Sequence, residues 1–266
     1  MVRTENMGED LETHAALAFT DQALFELRCE WGAEGIAMLA PAADVLVIVD
    51  VLSFTTGVSV AMDQGAQVFP YRYRDAGAAA YAQSLGASLA VPREQTSDAQ
   101  PYSLSPMSLT TLPANARIVL PSPNGSALAF LAADSGTQVL GGCLRNADAT
   151  ASYAARHGSR IAVIPAGERW GRDAGAFRAA VEDWLGAGAI LEALHRYWPT
   201  ATVSPEAAAA IAAFHAARWD LPAQLAACAS GRELREGGYA DDVSYAAALN
   251  ASECAAVLIE GAFVAR

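Results

Sequence analysis

The chain has 266 residues, 53% hydrophobic and 17% charged, which describes a globular protein with a sizeable core and excludes a disordered tail. Its net charge of −12 makes it a poor generic binder of nucleic acid, whose phosphates it repels. All 17 basic residues are arginine, so a lysine Schiff base and a P-loop lysine are excluded. In chain order, residues 1–22 read as a flexible extension. Ala23–Cys29 alternates like a strand, and Asp44–Val51 is a β-branched run of the kind buried parallel strands use. Ser53–Gln64 reads as a helix, with Ser53 as N-cap and Gly65 as stop. Gln67–Pro70 is a short strand, Asp75–Leu85 a helix closed by Gly86, and Ser88–Val91 a strand.

Pro92–Ala116 is a long polar loop with further prolines at 101, 106 and 113, a length usually functional or mobile. Ile118–Leu120 is a strand, followed by the turn Pro121–Gly125 and a helix to about Ala133. Gln138–Gly141 and Ile161–Ile164 are strands around a helix at Ala147–His157. Phe177–Tyr197, Pro205–Arg218 and Leu221–Ala229 read as helices, and Ala255–Ile259 as a last strand. This alternation predicts an α/β fold, a mostly parallel sheet with helices on both faces. It forms one large domain or two α/β lobes, about 23–157 and 158–266. The site is expected in the cleft at the strand carboxyl ends.

Three strand-end segments carry candidate chemistry. Asp50 ends an apolar strand, where a buried carboxylate needs a cation or several donors. Ser53, Thr55 and Thr56 follow at a helix start, which favours anions; the same residues also suit a plainly capped turn. Ser122, Asn124, Gly125 and Ser126 form a second turn with close backbone approach and neutral donors, either an anion cradle or an ordinary strand–helix turn. Pro165–Arg172 sets Glu168, Arg169 and Arg172 in a glycine-bearing loop. Glu168 suits Mg²⁺ and Arg169 suits an anion, against the alternative of a surface ion pair. Arg145 and Asn146 lie at another strand–helix junction. Glu182 and Asp183 share a helix with Gly186-Ala187-Gly188, whose small residues let a second backbone approach.

Four scattered cysteines and four scattered histidines form no metal motif or nucleophile triad. No apolar run reaches the ~20 residues of a membrane span, and Met1–Thr13 lacks a basic start and apolar h-region, so the expected location is the cytoplasm. A homodimer is the expectation from base rates.

Eight ordered pieces resemble the 2-phosphosulfolactate phosphatase family: VIVDVLSFTTGV at 47–58, SLSPMSL at 103–109, LPSPNGSAL at 120–128, GCLRNA at 142–147, IPAGERW at 164–170, EDWLGAGAI at 182–190, SGRELREGGYADDV at 230–243 and GAF at 261–263. The resemblance covers about residues 24–263. It implies Mg²⁺-dependent hydrolysis of a small anionic phosphate ester, 2-phospho-3-sulfolactate, a step that serves coenzyme M synthesis in methanogens. It matches Asp50, Asn124-Gly125, Gly167-Glu168 and Glu182-Asp183 to family positions; we assign Asp50 and Glu168 as catalytic residues and Mg²⁺ ligands, with Asp183 as a weaker third ligand. The turns Ser53–Thr56 and Ser122–Ser126 then hold phosphate, and Arg145, Asn146 and Arg169 the remaining anionic groups. Asp50 serves as metal ligand or as a nucleophile forming an aspartyl phosphate. Many members carry arginine where this chain has Ser53. The alternative reading is a non-catalytic phospho-ligand binder that keeps the fold.

Overall fold

The computed structural model describes residues 19–72, 75–171 and 175–266; the expected extension at 1–22 lies largely outside them. In chain order the first half contains β1 (Leu27–Cys29), α1 (Gly32–Leu39), β2 (Val45–Val49), α2 (Phe54–Asp63), β3 (Gln67–Tyr71), α3 (Ala76–Leu85), β4 (Ser88–Leu89), α4 (Pro106–Leu109), β5 (Arg117–Pro121) and α5 (Gly125–Ala133). The second half contains β6 (Gln138–Gly142), α6 (Ala147–His157), β7 (Ile161–Pro165), β8 (Glu168–Arg169), β9 (Phe177–Arg178), α7 (Val181–Tyr197), α8 (Pro205–Ala217), α9 (Leu221–Ala227), α10 (Ala229–Glu236), α11 (Ala240–Ala246), β10 (Ala256–Ile259) and β11 (Ala262–Ala265).

Among the described residues, nine strands form one sheet in the order β1-β7-β2-β6-β10-β11-β3-β5-β4. Strands from both sides of residue 157 alternate within it. β1, β7, β2 and β6 are mutually parallel, as are β3, β5 and β4. The antiparallel hairpin β10–β11 joins the two groups. Three antiparallel pairings in series make the groups run in opposite senses. The mostly parallel α/β expectation therefore holds, with a mixed centre.

β2 shows why its sequence is apolar throughout. Val45, Val47 and Val49 face one helical layer, with Leu185, Ile190 and Leu194 of α7. Leu46 and Ile48 face the other, with Ile36 and Leu39 of α1 and Leu128 of α5. All five strand residues are fully buried, each stabilising the fold by on the order of 2 kcal/mol. α7 lies close on this strand and on α8. A Cβ on Gly186 would come 2.6 Å from Val51, and one on Gly188 would come 2.1 Å from the Ala210 carbonyl oxygen.

Several element predictions need correction. Phe177–Ala180 is not helical, because Phe177 pairs with Arg169 in the hairpin β8–β9 and its ring packs edge-on against Trp31, at 5.7 Å between centroids. Helix α7 starts only at Val181. The helix expected over Leu221–Ala229 stops at Ala227, and α10 begins after an extended Cys228. The last strand has a partner, β11, across Glu260-Gly261. Both residues have positive φ (49° and 81°), as type I′ turns require. Within the long loop, Pro106–Leu109 forms one turn of helix.

Candidate active site

Asp50 follows β2 and is 5% exposed. Its Oδ1 accepts from the Phe54 backbone N–H at 3.2 Å and its Oδ2 from the Gly125 N–H at 2.8 Å. One carboxylate thus satisfies the starts of both α2 and α5, whose first N–H groups have no partner within their own helices. Ser53 holds the N-cap position of α2, but its side chain makes no capping bond. Gly125 is glycine for lack of room: a Cβ there would lie 2.7 Å from Asp50 Cβ, Asp50 Oδ2 and Phe54 Cδ1.

The first turn of α7 brings Glu182 and Asp183 to the same place, 2% and 3% exposed. Asp183 Oδ1 accepts from the Val51 N–H at 2.7 Å and Oδ2 from the Gly167 N–H at 2.9 Å. It therefore ties the turn after β2 to the turn after β7, two parallel neighbours whose carboxyl ends share an edge. Glu168, on β8, accepts from the Asn124 amide at 2.9 Å. Glu182 Oε2 is buried and has no hydrogen-bond partner. Among the described residues, none of these four carboxylates forms an ion pair.

Their electrostatics follow. Burial pushes the Asp50 carboxyl up to about 6, and the Glu182 charge pushes the same way. The Gly125 and Phe54 N–H groups and the Ser122 hydroxyl pull it back. Glu168 is pushed up to about 7, first by burial and then by the Asp50 charge, with Asn124 opposing. Asp183 is held well above the carboxylate range by burial and by the Asp50 and Glu182 charges. Burial, then the Glu182 charge, pushes the Cys228 thiol up to about 12.

A stability prediction comes from these shifts. Folded Asp50 and Glu168 hold protons that the unfolded chain has released between about pH 4 and pH 7. The cluster's contribution is fully present below the unfolded values and is lost as pH rises through the folded ones. For Glu168, a rise from 4.5 to about 7 costs on the order of 3 kcal/mol at pH 8. Urea melts in a chelator are expected to show lower stability at pH 8 than at pH 5; equal or greater stability at pH 8 contradicts this.

Residues 36–261 match the family described as 2-phosphosulpholactate phosphatase. The chain belongs to that family. No curated protein matches the chain. The resemblance first visible in eight short pieces thus extends over most of the molecule.

Within this family frame, the structure brings Asp50, Ser122, Asn124, Gly125, Glu168 and Asp183 together, and adds Glu182. Other predicted residues are committed elsewhere. Thr55 Oγ1 donates to the Asp50 carbonyl at 2.8 Å and accepts from the Asp50 N–H, and Thr56 Oγ1 donates to the Val51 carbonyl at 2.7 Å. Both are fully buried and brace the turn. Ser126, also fully buried, bonds the backbone of Tyr71. Asn146 caps its own turn through the Cys143 N–H and the Gly141 carbonyl. Arg145 stacks on Tyr245 at 4.1 Å and reaches Asp63 at 3.4 Å, away from the acids. Arg169 is exposed and donates to the Gly175 carbonyl. Arg172 lies outside the described residues.

The sequence reading missed a second polar cluster beside Ser53. Asp242, 2% exposed at the start of α11, accepts from Ser105 Oγ at 2.5 Å and from Arg93 Nη2 at 3.1 Å. The same Nη2 donates to Ser53 Oγ at 3.0 Å, and the guanidinium lies 5.1 Å from the Tyr239 ring centroid. This pair fastens the long loop to the turn after Asp50. The signal in the sequence was the charged turn at 238–243, which reads equally well as a capped surface turn, and the placement of Ser105 and Asp242 inside two of the matching pieces.

The acids also bear on Mg²⁺. Among the described residues no three His, Cys, Asp or Glu side chains converge to enclose a metal by themselves. Mg²⁺ does not need that: one or two carboxylates hold it, and water and phosphate oxygens complete its shell. A buried, unpartnered Glu182 oxygen among mutually repelling carboxylates suits such an ion. No helix among the described residues is long and apolar enough to cross a membrane.

Proposed function

We propose that this protein is a Mg²⁺-dependent phosphatase that hydrolyses 2-phospho-3-sulfolactate, or a close small anionic phosphate ester, to the alcohol and phosphate. One observation carries the reading. Four carboxylates, Asp50, Glu168, Glu182 and Asp183, gather around the starts of α2, α5 and α7, and among the described residues no arginine or histidine forms an ion pair with them. Such a set repels a phosphate ester unless a cation comes between them, while helix N-termini favour phosphate.

Asp50 and Glu182 would hold the ion through their remaining lone pairs, two carboxylates with water and phosphate oxygens completing its shell. Asp183, with both oxygens on backbone N–H groups, sets the geometry of the two turns. Bound Mg²⁺ supplies charge neutralisation on the phosphoryl oxygens. Glu168, with one oxygen held by the Asn124 amide and the other left for a water, suits a general base. It takes a proton from the water that attacks phosphorus; the bond from phosphorus to the ester oxygen breaks, and the leaving alcohol is protonated from solvent. Asp50 is a poor nucleophile because both its oxygens accept backbone N–H bonds.

Phosphate release from phosphosulfolactate, with and without Mg²⁺, tests the reading. Turnover is expected only with the ion, and Mg²⁺ is expected to raise the melting temperature more at pH 8 than at pH 5, because ionised acids bind it. Binding of the ester without any phosphate release would instead make the chain a phospho-ligand binder.

A further inference from the structure

Two arginines absent from the predicted site flank the acid cluster. Arg93 is already neutralised: Asp242 accepts from both its Nε and its Nη2, at 3.3 and 3.1 Å. Arg178 is different. It stands on β9, partly buried, and its Nη2 donates to the neutral Ser230 Oγ at 3.2 Å. Its guanidinium lies 5.8 Å from the Trp170 ring centroid. It stands directly across the β8–β9 hairpin from Glu168, one of the four acids, and its charge opposes the effect of burial on that carboxyl. Yet among the described residues Arg178 has no ion-pair partner, and neither Nε nor Nη1 makes a hydrogen bond to another described group.

A partly buried guanidinium beside a carboxylate cluster, without a counter-ion of its own, is a ready anion contact. The phosphate has other partners in the helix starts and the cation. What lacks a partner is the rest of a substrate with more than one acidic group, arriving at a protein of net charge −12. We propose that Arg178, held by Ser230, binds the acid group that the substrate carries besides its phosphate, a sulfonate or a carboxylate, and so sets the preference for acid-tailed esters. This rests on the phosphatase reading above.

The test compares wild type with Arg178→Gln and Arg178→Lys in the full chain, using phosphosulfolactate and glycerol 2-phosphate, which has no second acid group. In Arg178→Gln, kcat/KM for phosphosulfolactate is expected to fall on the order of 10–100-fold, mainly through KM, as befits a lost charged hydrogen bond. With both esters assayed at pH 9, where Glu168 is ionised with or without the Arg178 charge, turnover of glycerol 2-phosphate is expected to fall far less than that of phosphosulfolactate, which also shows that the variant folds. Calorimetric binding of 3-sulfolactate, which has no phosphate, should weaken in the same proportion and recover in part in Arg178→Lys. Equal losses on both esters would overturn the proposal, as would sulfolactate binding that is absent in wild type or unaltered in Arg178→Gln. If wild type releases no phosphate from either ester, the phosphatase reading fails, while the sulfolactate titration still decides the role of Arg178.

Discussion

Asp50→Asn lowers kcat for phosphate release on the order of 10³-fold, the scale expected when a group that acts on developing phosphoryl charge is lost. The asparagine keeps the shape and one acceptor oxygen, so Phe54 or Gly125 can still be capped. Its amide N–H₂ then meets the other backbone N–H, donor against donor, at a cost of about 1–3 kcal/mol. Against that, one of four mutually repelling charges disappears. The two effects oppose each other at pH 8, where the wild-type carboxyl, pushed up to about 6, is ionised. At pH 5 the carboxyl is largely protonated and only the lost bond remains. The variant is therefore expected to melt close to wild type at pH 8 and below it at pH 5. A colorimetric phosphate assay and circular-dichroism melts at both pH values check the pair of outcomes. Activity within tenfold of wild type in a folded variant would remove Asp50 from the chemistry.

Gly125→Ala is expected to disrupt the site through a single added methyl. The added Cβ would stand 2.7 Å from three atoms, and none of them belongs to the free end of a flexible side chain. Asp50 is held by two backbone bonds, and Phe54 is fully buried against Phe263. The turn must therefore withdraw. Withdrawal breaks the 2.8 Å bond from the Gly125 N–H to Asp50 and moves the Asn124 amide, which holds Glu168 at 2.9 Å. Overpacking plus the lost bond is expected to cost about 3 kcal/mol. Activity should fall on the order of 10²-fold, because two carboxylates lose their support together. With its strongest opposing hydrogen bond gone, Asp50 is raised further, so the acid limb of the pH–rate profile is expected to move to higher pH. Denaturant midpoints and a pH–rate profile measure both effects. A variant with unaltered midpoint and profile would mean that the turn has more room than the backbone shows.

The folding pattern was largely legible in the residues. The run at 45–49 could only be a strand buried on both faces, and the Gly86 and Gly65 stops sit where helices end with positive φ, 59° and 71°. The position of Asp50 at the end of that strand, and of Glu168 after β7, was likewise a matter of local pattern. These features are legible because burial periodicity and turn chemistry act between residues close in sequence.

What Asp50 and its neighbours do to one another was decided by tertiary structure alone. The Ser122–Gly125 turn follows a strand that runs opposite to β2, so a rule about shared strand ends does not bring it to Asp50; the packing of α5 across the sheet does. The hydroxyls of Thr55, Thr56 and Ser126 looked free for phosphate, yet each found a backbone partner once the turn closed. Position along the chain marks Arg145 at a strand–helix junction and Arg169 in a glycine-bearing loop. The fold instead sent Arg145 to Tyr245 and brought Arg93 to Asp242, 149 positions away, and Arg178 to Ser230. The physical reason is the same in each case. A polar side chain takes the best partner that burial leaves within about 3 Å, and which partners those are depends on how distant segments pack, not on the spacing along the chain. By itself the sequence determined most strands and helices and the acids at their ends, because these depend on neighbours along the chain; the three-dimensional packing determined that four of those acids meet and that Arg178, with no ion pair among the described residues, stands beside them.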